Sequence, residues 1–189
     1  MKNDSSHPNP YQTRRALVIQ SDADAKPRSS ATMRFMLSHP LHVLSFGFGS
    51  GLSQVIPGTI GTIFGWILFI VLNPYLSVLQ WWVLIAISFA TGCGFTGFTA
   101  RHMGEKDPGA VVWDEIVAIW VVMLLVMPTN CIYQLGAFLV FRLFDIVKPP
   151  PIRYFHRRLS GSFGIMFDDI IAALFTLSVM TLVHSLNIK

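Results

Sequence analysis

The chain has 189 residues, of which 52% are hydrophobic and only 13% are charged, whereas ordinary soluble domains are about 25% charged. This number of charged residues is too small to cover the surface of a water-soluble domain. The composition therefore excludes a typical soluble globular protein. A mean hydropathy of +0.54 excludes a chain that is disordered throughout. The net charge of +4 is too small to indicate nucleic acid binding. Cys93 and Cys131 form neither a disulfide framework nor a C-x-x-C metal site.

The first 34 residues differ in composition from the rest of the chain. They contain six Lys or Arg and three Asp among Ser, Pro, Asn and Gln. A signal peptide requires an apolar core close behind a basic start, and this leader has none. We therefore predict a disordered cytosolic tail over residues 1–34 and a membrane-embedded domain over residues 35–189.

The membrane-embedded region contains several apolar segments. No Asp, Glu, Lys or Arg occurs from Phe35 to Ala100, a stretch far longer than the roughly 20 residues that one spanning helix needs. The segments are 60–72 with an extension over 74–79, 81–98, 116–127, 131–144 and 170–186. The sequence predicts an all-α fold, a polytopic integral membrane helical bundle with about four to five membrane segments. The third and fourth segments are short, and they are either two tilted crossings or a re-entrant pair. Gly61 and Gly65 have the spacing that permits close helix packing.

The basic residues indicate the orientation of this bundle. If all five segments cross, the Lys and Arg of the leader, of the loop after segment two and of the loop after segment four lie on one side of the membrane. The opposing loops, at 73–80 and 128–130, have none. The positive-inside rule then places the leader and both basic loops in the cytoplasm.

Acidic residues outside the leader cluster at predicted helix ends. Asp114 and Glu115 are predicted to open segment three, Asp145 to close segment four, and Asp168 and Asp169 to open segment five. In the five-crossing arrangement these ends meet at the cytoplasmic face. Carboxylates gathered beside hydrocarbon repel one another, so they call for a cation. Oxygen ligands without Cys favour magnesium, manganese or calcium over zinc. The alternative is that the residues at helix starts are simple caps.

Asp145 distinguishes the two interpretations. It lies near a predicted helix C-terminus, where the helix dipole disfavours a carboxylate. Arg142, one turn earlier on the same face, is both a predicted partner of Asp145 and a candidate phosphate ligand.

Two polar segments offer further candidate ligands. The segment after Asp145 carries Lys148 and Arg153, which either contact anionic lipid headgroups or bind a phosphate that belongs to a lipid. The loop 46–59 is glycine-rich and lacks the lysine of a Walker motif. It is predicted to be a helix-entry turn first and a ligand loop second, with Ser50, Ser53 and Thr59 as candidate substrate-binding residues.

Several phosphatase chemistries do not fit the spacing. Neither cysteine is followed by an Arg at six positions, because Thr99 and Ala137 stand there. No Ser-His-Asp context is present. The remaining chemistry is attack by water on a phosphomonoester, with a metal bound by carboxylates and cations holding the phosphate oxygens.

Three sequence blocks resemble the bacterial phosphatidylglycerophosphatase A family. They are GFGSGLSQVIPGTIGT at 47–62, DPGAVVWDEIV at 107–117 and FRLFDIVKPPPIRYFHRRLSGSFGIMFDD at 141–169. The resemblance implies a magnesium-dependent enzyme of the bacterial inner membrane, multi-pass, with its active site facing the cytoplasm. Its implied substrate is phosphatidylglycerophosphate, which it would hydrolyse to phosphatidylglycerol and phosphate. The implied site residues are Asp114, Glu115, Asp145, Asp168 and Asp169, with Arg142, Lys148 and Arg153 beside them.

Together these observations give one hypothesis and two alternatives. Glu115, Asp145, Asp168 and Asp169 supply most metal ligands, and Asp114 is a ligand or the base that orients water. Arg142, Lys148 and Arg153 hold phosphate, and Asp114, Asp145 and Arg142 form the catalytic set. The alternatives are a non-enzymatic transporter or subunit, and an enzyme for another phosphorylated lipid headgroup. We infer no obligate protein partner.

Overall fold

The structure, a computed structural model, describes residues 31–150 and 161–187. The described residues form helices and no strand, which confirms the all-α class. The helices are α1 (Met33–Leu37), α2 (Pro40–Ser45), a 3-10 turn (Gly47–Leu52), α3 (Pro57–Leu72), α4 (Val78–Met103), α5 (Trp113–Val126), α6 (Cys131–Val147) and α7 (Ser162–Asn187). Helix α1 begins before the predicted tail boundary at residue 34, and residues 1–30 lie outside the described residues.

Two of these helices are long and apolar enough to cross a membrane. They are Val78–Met103 and Ser162–Leu186, and Pro57–Leu72 is a shorter apolar helix. At 1.5 Å per residue, α4 is about 39 Å long, which exceeds the roughly 30 Å hydrocarbon core of a bilayer. The outward faces of α3, α4 and α6 leave Ile67, Ile87 and Leu139 more than half exposed. Such faces are typical of helices that contact lipid.

The link between α3 and α4 corrects one predicted boundary. The extension of the first segment over 74–79 was wrong, because Val78 and Leu79 belong to α4. Ser77 accepts a hydrogen bond from the Gln80 amide, and the Gln80 side chain accepts one from the Ser77 amide. This capping box satisfies the first free amides of a helix, so α4 starts there.

The short helix α5 lies at the centre of the bundle. It packs against α3, α4, α6 and α7, and Ile116, Ile119 and Met123 have no exposed surface. Eleven of its 14 residues are buried, so α5 is a core helix and needs no polar face.

Glycines allow α3 to approach α5 closely, as the spacing of Gly61 and Gly65 predicts. A Cβ atom at Gly61 would lie 2.6 Å from Val112 Cβ, and one at Gly65 would lie 2.8 Å from Ile119 Cγ2. The indole of Trp120 also donates a hydrogen bond to the Gly65 carbonyl at 2.9 Å. The two backbones are therefore held at a distance that no side chain at these positions would permit.

The segment between α2 and α3 supports the start of α5. The Val112 amide donates to the Ser45 carbonyl at 2.9 Å, and a Cβ at Gly51 would lie 2.1 Å from the Ala110 carbonyl oxygen. The predicted helix-entry turn at 46–59 is confirmed as the 3-10 turn followed by the first residues of α3. This packing fixes the N-terminus of α5, where two of the predicted site residues lie.

Candidate active site

Three helices bring the predicted acidic residues to one end of the bundle, which we call the acidic end. Asp114 and Glu115 lie in the first turn of α5, and Asp145 lies in the last turn of α6. The prediction that Asp168 and Asp169 open their helix was wrong, because α7 already begins at Ser162. The apolar residues before them continue the helix toward its N-terminus. These two carboxylates therefore do not cap α7.

Three carboxylates form a compact group with the donor set of a metal site. One oxygen each from Asp114, Glu115 and Asp169 lies within 4.8 Å of the other two. Asp114 is 7% exposed and Asp169 is 3% exposed. Asp114 Oδ1, Glu115 Oε2 and Asp169 Oδ2 are buried without a hydrogen-bond partner among the described residues. Buried anionic oxygens are normally paired, so this group fits a hard divalent cation.

Arg142 joins this group to the end of α6. Its Nη1 donates a hydrogen bond to Asp145 Oδ2, which confirms the predicted pair one turn apart. The same nitrogen lies 3.9 Å from Glu115 Oε1, and both side chains are only 12% exposed. The guanidinium therefore accounts for the carboxylate at a helix C-terminus that the dipole alone would disfavour.

The first turn of α3 closes one side of the site. A Cβ atom at Gly58 would lie 2.3 Å from Glu115 Oε1 and 3.1 Å from Arg142 Nη2. Thr62, one turn further along α3, accepts a hydrogen bond from Arg142 Nη1 at 3.2 Å. The Gly58 backbone is thus in direct contact with the charged groups.

Lys148 brings a second cation to the acidic carboxylates. Its Nζ lies 3.4 Å from Asp168 Oδ2, and its backbone is left-handed, with φ of 42°. Burial lowers the pKa of Lys148, but the nearby charges of Asp169, Asp168 and Asp107 raise it by more, so the net pKa is raised. Lys148 is therefore positively charged at neutral pH.

The remaining predicted substrate residues have fewer contacts with the site. The Ser50 hydroxyl donates to the Gly47 carbonyl at 2.8 Å, within the 3-10 turn. Ser53 follows that turn, and Thr59 is the third residue of α3; both are half-buried. Among residues 31–150 and 161–187, none of the three hydroxyls is hydrogen-bonded to the carboxylates or to Arg142. Arg153 lies outside the described residues.

Two residues in contact with the site, Gly58 and Thr62, were not predicted as site residues, and neither was the exposed Asp107, whose charge acts on Lys148. Gly58 and Thr62 lie in the block Pro-Gly-Thr-Ile-Gly-Thr at 57–62, and Asp107 opens the block at 107–117. The only signal for them was their presence in these blocks. The contacts of Gly58 and Thr62 join parts of the chain that are far apart in sequence, and spacing does not reveal such contacts.

Comparison with known proteins identifies the family. The family described as phosphatidylglycerophosphatase A matches residues 43–184, which include all five acidic residues, Arg142 and Lys148. The chain belongs to the phosphatidylglycerophosphatase A family. The resemblance of its sequence blocks to that family is thereby confirmed.

Individual relatives cover most of the chain. Phosphatidylglycerophosphatase A of Haemophilus influenzae is 41% identical over 147 residues, which are 78% of this chain and 90% of the relative. Phosphatidylglycerophosphatase A of Escherichia coli is 38% identical over 151 residues, 79% of this chain and 87% of the relative. A putative phosphatidylinositol-3-phosphatase of Bacteroides thetaiotaomicron is 35% identical over 144 residues, 71% of this chain and 87% of the relative. No solved structure matches the chain.

Proposed function

We propose that this member of the phosphatidylglycerophosphatase A family hydrolyses phosphatidylglycerophosphate to phosphatidylglycerol and inorganic phosphate, and that it requires magnesium. The single observation that supports this reaction best is the pairing of a buried carboxylate group with the Arg142 guanidinium, 3.9 Å from Glu115. The carboxylates suit a divalent ion, and the guanidinium suits a phosphate. Two relatives named for this activity add independent support.

The carboxylates divide into metal ligands and supporting groups. Asp114, Glu115 and Asp169 would hold the ion, since their oxygens are close together and buried. Asp145 and Asp168 lie beside them. Asp145 forms an ion pair with Arg142, and Asp168 forms one with Lys148. When bound, magnesium supplies positive charge that stabilises the charge developing on the phosphoryl group during transfer.

The other residues bind the substrate and guide the proton. Arg142 and Lys148 hold oxygens of the terminal phosphate, and Arg153 is proposed to do the same. The oxygen of a water molecule attacks phosphorus, and the bond between phosphorus and the glycerol oxygen breaks. The second carboxylate oxygen of Asp114 is proposed to accept one proton of that water, and this proton passes to the departing glycerol oxygen, so that phosphatidylglycerol and inorganic phosphate are released.

The charge distribution supports a cytoplasmic position for this site. Arg101, Lys106 and Lys148 lie at the acidic end, whereas the links at 73–77 and 127–130, at the other end, contain no Lys or Arg. Under the positive-inside rule, the acidic end then faces the cytoplasm of a bacterial inner membrane that the chain crosses several times. A phosphate at headgroup depth can reach such a site while its acyl chains stay in the bilayer.

A second candidate substrate class follows from one relative. The Bacteroides relative is named a putative phosphatidylinositol-3-phosphatase, and the same carboxylates and cations suit any phosphomonoester on a lipid headgroup. A transporter is less well supported, because transport carboxylates line a path at mid-membrane, whereas these lie at one end of the bundle.

One assay separates these functions. The full-length protein, reconstituted in vesicles, is given phosphatidylglycerophosphate or phosphatidylinositol 3-phosphate, with magnesium or with a chelator, and inorganic phosphate is measured. We expect magnesium-dependent release from phosphatidylglycerophosphate. Asp169→Asn should abolish it, and Glu105→Gln, a half-buried acid outside the carboxylate group, should not. Release only from the inositol lipid would replace the proposed substrate, and no release from either would contradict the enzyme function.

A further inference from the structure

Thr62 makes two hydrogen bonds that connect α3 to the guanidinium of Arg142. Its hydroxyl donates to the Gly58 carbonyl at 2.8 Å and accepts from Arg142 Nη1 at 3.2 Å. The side chain has no exposed surface. Because the hydroxyl proton is used by the Gly58 carbonyl, the oxygen lone pair is directed to the arginine.

This contact determines which edge of Arg142 is occupied. Nη1 is held by Thr62 on one side and Asp145 on the other. Nε is buried and has no acceptor among the described residues. Nη2 lies beside the Gly58 backbone, 3.1 Å from where a Cβ atom of that residue would be, and makes no hydrogen bond to a described residue. The Nε and Nη2 edge, which can donate two parallel hydrogen bonds to a phosphate, therefore has no acceptor among the described residues.

We propose that Thr62 is a positioning residue for phosphate recognition: it holds Nη1 of Arg142 so that the Nε and Nη2 edge faces the terminal phosphate of the lipid. The inference rests on the proposed function and extends it to a residue with no acidic or basic group. Without the Thr62 hydroxyl, Asp145 is the only hydrogen-bond acceptor that Nη1 keeps among the described residues, and the longer ion pair with Glu115, at 3.9 Å, does not fix the orientation of the guanidinium.

A purely structural role for Thr62 predicts a different result. Thr96 and Thr176 are also fully buried, and each donates to the carbonyl four residues earlier, Gly92 and Ala172. Neither hydroxyl is hydrogen-bonded to an arginine within the part of the chain that the structure describes. Thr176 is therefore a matched control for the local helix bond alone.

The test compares Thr62→Val, Thr62→Ser and Thr176→Val in the full-length protein. For Thr62→Val we expect kcat/KM for phosphatidylglycerophosphate to fall about 10-fold to 100-fold, as for loss of a hydrogen bond to a charged group. The inhibition constant of inorganic phosphate should rise by a similar factor, and phosphate should stabilise the variant less against heat. Thr62→Ser, which keeps the hydroxyl, should restore most of each value.

The Thr176→Val control tests the role of Thr62, and the wild-type protein tests the proposed function. Thr176→Val should lower thermal stability about as much as Thr62→Val without changing the phosphate inhibition constant. The role of Thr62 would be overturned if Thr62→Val and Thr176→Val had the same kcat/KM and the same phosphate inhibition constant. It would also be overturned if Thr62→Ser lost as much activity as Thr62→Val. If Thr62→Val does not fold, Thr62→Ala and Thr176→Ala replace the pair with the same expectations. A wild type that releases no phosphate overturns the proposed function itself.

Discussion

Gly58 places the backbone of α3 directly against the carboxylate of Glu115. A Cβ atom at this glycine would lie 2.3 Å from Glu115 Oε1, closer than any nonbonded contact allows. Glu115 is also in the first turn of α5 and 3.9 Å from Arg142. The start of α3 therefore fixes how far the carboxylate and the guanidinium can move.

Substitution of this glycine should impair catalysis more than folding. In Gly58→Ala, the methyl group would displace the Glu115 carboxylate and crowd Arg142 Nη2. A displacement of about 1 Å at an active site can cost about 100-fold in rate, so we expect a loss of that order in kcat/KM. Phosphate release and thermal unfolding of the same preparation measure the two effects separately.

Gly94 provides the matched control for this substitution. It lies within α4, and a Cβ there would meet nothing within 4 Å. Gly94→Ala should keep full activity and raise the free energy of unfolding by up to about 1 kcal/mol, because alanine favours helix. Normal turnover in Gly58→Ala would show that Glu115 does not need its present position.

Arg142 should not tolerate replacement by lysine. Lysine keeps the charge but has no planar fork, so it cannot hold Asp145 and Thr62 while donating two bonds to phosphate. We expect Arg142→Lys to lower kcat/KM by about 100-fold to 1000-fold, the range for loss of a donor that stabilises a transition state. Arg101→Lys, at an exposed position at the end of α4, should change it little. Comparable activities in both variants would exclude a specific role for the guanidinium.

The acidic site could be predicted in part from the sequence because charges are so rare in this chain. A carboxylate near hydrocarbon needs a partner, and Asp145 at a helix C-terminus needs one most. Arg142 is three residues away, so periodicity alone identified the pair. Thr62 is 80 residues from Arg142, and no local pattern reveals that contact.

Helix boundaries were harder to predict than helix existence. The start of α7 was placed eight residues too late, at Ile170 instead of Ser162, because Asp168 and Asp169 resembled caps. Inside a bundle, however, such residues are stabilised by partners on other helices, as the contact of Lys148 with Asp168 shows. Apolar patterns also do not reveal that most of α5 is buried inside the protein, since a lipid-facing helix of the same length has a similar apolar sequence.

The close approach of α3 and α5 should make Gly65 sensitive to small side chains. A Cβ at Gly65 would lie 3.0 Å from the Ile116 backbone, so Gly65→Ala must push the helices apart. Overpacking of this kind costs about 1–3 kcal/mol. Gly136→Ala in α6, whose Cβ would meet only Met180 Cε at 3.9 Å, should raise the free energy of unfolding by up to about 1 kcal/mol, as alanine favours helix. Denaturant unfolding in detergent measures both, and equal stabilities would mean that the helix contact adapts without cost.

Removal of divalent ions should destabilise the wild type through the buried carboxylates. An ion that binds only the folded state adds about 2.7 kcal/mol at 100 times its Kd. Magnesium should therefore raise the melting temperature, and a chelator should reverse the effect. Asp114→Asn should lose most of this response, whereas Glu105→Gln should keep it. An undiminished response in Asp114→Asn would remove that residue from the metal site.

His42 should make the stability depend on pH in a defined direction. Its ring is 3% exposed, contacts the Thr99 hydroxyl at 2.9 Å and stacks on Phe35. Burial lowers its pKa from the ordinary 6.5, and the neighbouring His102 and His39 lower it further. The folded state thus favours the neutral ring.

This shift predicts a loss of stability on acidification. Above pH 6.5 the ring is neutral in both states, and its full contribution is present. As the pH falls below that value the unfolded state binds the proton first, so the free energy of unfolding decreases until the lowered folded pKa is passed. Thermal unfolding from about pH 8 to about pH 5 should show this slope in the wild type and in His184→Asn, and a weaker slope in His42→Asn. An unchanged slope in His42→Asn would assign the acid sensitivity to other groups.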